Sequence, residues 1–141
     1  VIWLPDTNVF SAHLRGRDAG LSARLTAAVR DGRLLLSFFV LCELRYGADK
    51  ALRSGEKRPA HRVAKLAQAL PVALPSEAVP DHYGRIRAAL EAGGTPIGGM
   101  DLLLAAHALA LEACVVTANT REFARVDGLT VDDWRSEQNP R

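Results

Sequence analysis

Cysteine is scarce. The 141 residues hold only Cys42 and Cys114, far apart and each inside an apolar segment. Neither sits in a Cys-x-x-Cys pair or at ligand spacing from a histidine, which excludes a structural zinc site and leaves no disulfide to staple the chain. Long hydrophobic runs are also missing. The most apolar stretch, Leu102 to Leu111, is far short of the ~20 residues a bilayer-spanning helix needs. No signal-peptide pattern is present, so a reducing cytoplasmic setting without membrane attachment is expected. Charge of one sign is nearly balanced: 18 Lys and Arg against 16 Asp and Glu give a formal net charge of +2, too little to argue for nucleic acid on its own. There is no Gly-x-x-x-x-Gly-Lys phosphate loop and no Gly-x-Ser-x-Gly elbow. His13, His61 and His82 have no partner spacing. Repeats and low-complexity tracts are absent.

A hydrophobic content of 48% suffices for one ordinary soluble core. A single domain over residues 1–141 is expected, with about 136–141 as a loose tail. Short β-branched or apolar runs at Val1–Pro5, Leu34–Leu36 and Cys114–Thr117 read as buried strands, Pro71–Leu74 as a further short strand, and Leu129–Val131 as a last short strand at an edge of the sheet. Helical periodicity marks a segment through Leu14, then Leu21–Arg30, Phe39–Leu52, Val63–Leu70 and a helix opening at Ser76 that Gly93-Gly94 stops. Thr7 or Asn8, and Ser37, are candidate helix caps. The stretch from Leu102 to Leu111 is apolar nearly all round, so its helix is buried on most faces. It feeds directly into the Cys114–Thr117 strand. Helices alternating with strands imply a three-layer α/β/α sandwich around a mostly parallel sheet of about four to five strands. Right-handed crossovers then bring the strand C-termini to one edge.

Polar residues that a core does not need collect at that edge. Asp6 follows the first strand. Asp101 starts the buried helix behind Gly98-Gly99, where its bland alternative is a helix cap. Glu43 stands among Val40, Leu41, Cys42 and Leu44, so it needs a partner: an arginine such as Arg45 or Arg87, or a metal. Asn119 lies just past the fourth strand. Three carboxylates and an amide oxygen in one cleft repel unless a hard cation sits between them. Oxygen-only ligation suits Mg2+ or Mn2+, and such sites hydrolyse phosphodiesters by activating water. Thr117 offers a hydroxyl through a water; its alternative is an ordinary strand residue. Glu122 is read as facing solvent or pairing with an arginine, His107 as a satisfied core histidine, and Trp3 and Trp134 as packing residues. Asp6-Thr7-Asn8 lacks a second Asp two positions on, against a haloacid-dehalogenase-type phosphatase. The basic run Arg45, Lys50, Arg53, Lys57, Arg58, Arg62 and Lys65 is either a solvated helical face or a phosphate-tracking patch.

Four motifs in order carry a resemblance: Asp6-Thr7-Asn8-Val9; Glu43-Leu44-Arg45-Tyr46-Gly47; Gly94 to Ala108 around Asp101; and Val116-Thr117-Ala118-Asn119-Thr120-Arg121-Glu122-Phe123. Over nearly its whole length the chain resembles the PIN-domain ribonucleases, specifically VapC toxins of bacterial toxin–antitoxin pairs. The resemblance implies a PIN-like fold and a metal-dependent endoribonuclease that cuts a cellular RNA (tRNA, rRNA or mRNA) and stops translation. It implies Asp6, Glu43 and Asp101 as ligands of Mg2+ or Mn2+, with Asn119 completing the shell. It further implies a VapB-type antitoxin that blocks the cleft, a homodimer, contact with operator DNA only through the antitoxin, and a bacterial cytoplasm. Many members carry Asp where this chain has Asn119; a neutral ligand there leaves one metal well bound and a second weaker. The alternative is a catalytically weak PIN module that binds RNA or a protein partner.

Overall fold

The computed structural model describes residues 1–136. In chain order the elements are β1 (Trp3–Pro5), α1 (Thr7–Leu14), α2 (Ala19–Arg30), β2 (Leu36–Ser37), α3 (Phe38–Arg53), α4 (Arg58–Ala69), β3 (Val72–Ala73), α5 (Val79–Ala92), α6 (Gly99–Leu111), β4 (Cys114–Val116), α7 (Thr120–Phe123) and β5 (Thr130–Asp132). Every strand pair is parallel. β1 lies beside β4 and β4 beside β5, while β2 pairs with β3. A bridge between Trp3 and Leu34 joins the two sets, so the spatial order is β3-β2-β1-β4-β5. The strands are short, two or three residues each, and the central β1 and β4 are the apolar, mostly buried ones, as expected of strands covered on both faces. The last strand, expected at an edge, is at one.

That order decides where chemistry can sit. From β1 the chain moves outward through β2 to β3, then returns to β4 on the other side of β1. The reversal leaves a crevice beyond the C-terminal ends of β1 and β4, the place where open α/β sheets hold ligands.

The core gathers Leu4, Leu36, Val115, Val116 and Phe123 from the sheet region with Leu104, Ala105, Ala106 and Ala108 of α6, all nearly or wholly buried. The small alanines let α6 press closely onto its neighbours; it packs against α5, α3 and β4. At its end Glu112 takes a left-handed conformation (φ 54°), which turns the chain at once into β4. Trp3 and Trp134 meet edge to face with ring centroids 5.0 Å apart, tying the two ends of the chain together. Among the described residues no helix is long and apolar enough to cross a membrane.

Several local expectations need correction. Neither Thr7 nor Asn8 caps α1; Asp6 does, through Val9 N–H. α6 opens two residues earlier than expected, with Gly98 as its cap, so Asp101 lies in the first turn and caps nothing. α5 starts at Val79 rather than Ser76, with Pro80 in its first turn, where a missing N–H does no harm. Of the expected tail, Ser136 is held by Asp18, its main-chain N–H donating to Oδ2 at 2.9 Å; residues 137–141 lie outside the described residues.

Candidate active site

Asp6 leaves the C-terminal end of β1 and caps α1. Its backbone N–H still donates to the Val116 carbonyl (2.9 Å), extending the ladder by one residue. Its side chain is 7% exposed, and both oxygens are occupied. Oδ1 accepts the Val9 N–H at 2.9 Å, and Oδ2 accepts the Thr117 hydroxyl at 2.6 Å. Thr117 stands at the C-terminal end of β4, so this bond closes the mouth of the crevice between the two strands. Burial pushes the Asp6 carboxyl above the usual range; Thr117 and Val9 pull it back, and the Glu43 charge adds to the rise.

Glu43 comes from the second turn of α3. It is half-buried. Its anchor is the Thr7 hydroxyl, which donates to Oε1 at 2.7 Å. Among the described residues no arginine pairs with it, contrary to the structural alternative raised above; the observed ion pairs lie elsewhere on the surface.

Asp101, half-buried in the first turn of α6, faces the same cleft. Asp6, Glu43 and Asp101, with Thr7, Asn8, Phe39, Val40, Met100 and Leu104, line a cavity of about 140 Å³. Burial and then the charges of Asp6, Glu122 and Glu43 push the Asp101 carboxyl up to about 6. A helix N-terminus should favour the anion, so burial first, and then the neighbouring negative charges, outweigh it here.

Asn119 does not line this cavity. Its side-chain amide donates to Glu122 Oε2 at 3.0 Å, and its backbone N–H donates to Thr117 Oγ1 at 2.9 Å. The Glu122 reading therefore needs revision. Its partner is an amide, and its charge reaches Asp101. The signal was available, since Asn-x-x-Glu at the start of a short helix is the spacing that brings two side chains together on its first turn. Four acids thus act on one small space.

Among the described residues no three His, Cys, Asp or Glu side chains converge tightly enough, as placed, to grip a metal ion. Mg2+ does not ask for such a cage. It keeps several waters and takes one or two carboxylates directly. The donor set is all oxygen, hard and anionic, which fits Mg2+ or Mn2+ and does not fit softer metals.

The basic run lies on exposed surface of α3 and α4. Part of it is a solvated face, with Arg58 held by Glu56 at 3.1 Å and Arg53 near Asp49 at 3.7 Å. Arg62 differs. With Arg15 it flanks a groove of about 230 Å³ that shares Thr7 and Glu43 with the acidic cleft and is otherwise lined by apolar side chains such as Leu14, Leu44 and Val63.

The family model for the PIN domain matches residues 3–129. The chain is similar to ribonuclease VapC1 of Haemophilus influenzae, 31% identical over 95% of this chain and 98% of that protein. It is similar to the tRNA(fMet)-specific endonuclease VapC of Shigella flexneri, 33% identical over 92% and 95%. Among solved structures, that of VapBC2 from Rickettsia felis, bound to a DNA fragment from its promoter, superposes with a TM-score of 0.87 at 28% identity over 95% of this chain and 99% of that one.

Proposed function

The chain belongs to the PIN-domain family, among the VapC ribonucleases, and on that footing we propose that it is a divalent-metal-dependent endoribonuclease whose reaction centre is Asp6, Glu43 and Asp101. The observation that carries the reading is the single cleft lined by Asp6, Glu43 and Asp101. Burial and three neighbouring carboxylates hold Asp101 half-protonated near pH 6, which is what a site built for a cation does when no cation balances it. A Mg2+ or Mn2+ held there would supply a water of lowered pKa and neutralise charge on the scissile phosphodiester. The protein's own part is placement. Thr117 and Val9 fix both oxygens of Asp6, Thr7 orients Glu43, and Asp101 has only to ionise. Asn119 enters through Glu122, which it holds towards the cluster.

The groove beside Glu43, with two arginines at its flank, one carboxylate and an apolar floor, supports two partners of different chemistry. Arg15 and Arg62 are placed to meet the phosphates of a cellular RNA (tRNA, rRNA or mRNA) running into the cleft. A VapB-type antitoxin segment with an apolar face and a basic side chain would fill the groove and cancel the same negative field. Operator DNA would be met through the antitoxin. An apolar patch of Phe39, Pro75, Val79, Pro80, Tyr83 and Leu103, with Phe38 and Leu74 exposed beside it, supports a homodimer.

The test is cleavage of labelled total RNA by the purified chain with Mg2+, beside Asp101→Asn and an EDTA control, with antitoxin absent. Loss of cutting in both controls is expected. Equal cutting by the mutant, or no cutting by the wild type with Mn2+ also tried, would remove the catalytic reading and leave a module that binds RNA or a protein partner.

A further inference from the structure

Two buried polar residues lie away from the acids, and the site as described does not use them. Ser37 and His107 are both 0% exposed and bond to each other, Oγ to Nδ1, at 2.8 Å. Ser37 ends β2 and caps α3, its Oγ accepting the Phe39 N–H at 3.2 Å. The hydroxyl keeps a second lone pair, so it donates to His107 Nδ1 or accepts from it according to the ring's tautomer. Burial holds the ring below the usual histidine range, so it remains neutral. Nε2 itself has no partner in hydrogen-bonding geometry, although the Leu74 backbone lies near enough to favour the charged form. An unmatched buried ring nitrogen costs stability, so packing alone does not account for a histidine here. The histidine needs another reason.

Its place in the fold supplies one. On α3, Glu43 lies six positions after Ser37; on α6, His107 lies six positions after Asp101. Six residues advance a helix by about 9 Å. Ser37 meets His107 at one end, and Glu43 and Asp101 line one cleft at the other, so the two helices run in opposite directions and touch at matched stations. Phe39, Val40 and Leu104 fill the space between, and Phe39 stacks edge to face on His107 with centroids 5.5 Å apart. Interdigitated side chains hold the two helices together, and a polar contact between them adds a point of fixed direction. One directional bond fixes the register.

We propose that His107 is a positioning residue: its bond to Ser37 latches α3 to α6 and thereby sets the separation of Glu43 from Asp101. This rests on the proposed reading of those two acids, and its effect passes through the helices, since His107 touches neither.

The test uses His107→Phe, which keeps a ring against Phe39 and removes the hydrogen-bond partner of Ser37, with His107→Leu should the larger ring strain the core. Ser37→Ala and Ser37→Thr form the second pair, the threonine retaining the hydroxyl. Thermal melting should show the His107 variants folded, with a loss of about 1–3 kcal/mol from the orphaned Ser37 hydroxyl. Two readouts then address position. Spin labels on the exposed Cys42 and on Gly99→Cys, where an added Cβ meets nothing within 4 Å, report the α3–α6 separation; Cys114 is buried and stays unlabelled. The distribution should broaden in His107→Phe and Ser37→Ala and narrow again in Ser37→Thr. Calorimetric titration of unlabelled protein with Mn2+ should show about tenfold weaker binding, the lower end of what lost supporting bonds cost metal sites. Unchanged distances and unchanged Mn2+ affinity in a folded His107→Phe or His107→Leu overturn the latch. If the wild type takes up no Mn2+, the metal reading falls instead, and the spin-label distances alone decide the latch.

Discussion

The two walls of the cleft are built differently. On the sheet side, Asp6 is almost fully buried and each of its oxygens has a fixed donor. On the helix side, Glu43 has one hydroxyl, from Thr7, and among the described residues no hydrogen bond to the Asp101 carboxylate is present; its neighbours are other acids. One wall is preorganised; the other has few fixed donors and is crowded with like charge. A cation entering such a site finds one ligand already oriented and others whose mutual repulsion falls as it arrives. Rigidity is concentrated where the sheet can supply it, at the adjoining ends of β1 and β4, and adjustability where two helices lean over the opening.

Substitutions should separate the walls. The largest effect is expected at Asp6. Asp6→Asn still caps α1, but one oxygen cannot serve both Val9 and Thr117, so RNA cleavage should fall by about three orders of magnitude, ~4 kcal/mol of barrier, and melting temperature should fall with it. Thr117→Val preserves shape and removes the buried donor to Asp6. It should destabilise by about 2 kcal/mol, the scale of a hydrogen bond to a charged group, and cut activity by roughly tenfold. Thr7→Val removes the corresponding donor on the open wall, at a half-buried site, and should cost only a few-fold in activity with little change in melting. If Thr7→Val proves as damaging as Thr117→Val, the contrast between the walls is wrong. The smallest change is expected from Glu122→Gln. Removing one of three charges acting on Asp101 should lower the Asp101 pKa, visible by NMR titration of its carboxyl, with activity altered less than twofold to threefold at pH 7.5, where Asp101 is already ionised.

Much of this arrangement was legible in the chain itself. Buried strands and the apolar helix of Leu102–Leu111 announced themselves because residues packed on all faces must be apolar on all faces. Parallel pairing followed from the helix–strand alternation, and the edge that carries Asp6, Asp101 and Thr117 followed from that. Finer features were hidden for physical reasons. Asp6 and Thr117 are 111 residues apart, and no local pattern foretells a hydrogen bond that exists only once β1 lies beside β4. Thr7 looked like a cap because threonine is often one; it faces Glu43 because Asp6 already caps the helix. Asn119 was expected among the ligands from its position after a strand, yet its amide turns to Glu122, three residues on. That pairing is readable from spacing, although the Thr-Arg-Glu-Phe context suggests solvent or an arginine for Glu122. Of the two partners open to Glu43, an arginine or a metal, no arginine is seen among the described residues.

Asp101 ties stability to charge with a definite sign. Its folded pKa, about 6, lies above its ordinary value of 3.8. Between those values the folded protein holds a proton that the unfolded chain has released, so stability falls as pH rises from about 4 to 6 and stays lowered above. Asp101→Asn removes that penalty. At pH 7.5 without divalent ions the mutant should be more stable by about 1 kcal/mol, reduced from the full shift because the group is half-exposed and solvent screens it.

The most direct measurement is therefore thermal melting of the wild type and Asp101→Asn at pH 7.5 across a Mn2+ titration. Without metal the mutant should melt a few degrees higher. As Mn2+ rises, the wild type should gain stability through binding and overtake a mutant that gains little, so the two curves cross. Curves that keep a constant separation, or a mutant that melts lower at the outset, would contradict a cleft whose acids repel one another until a cation joins them.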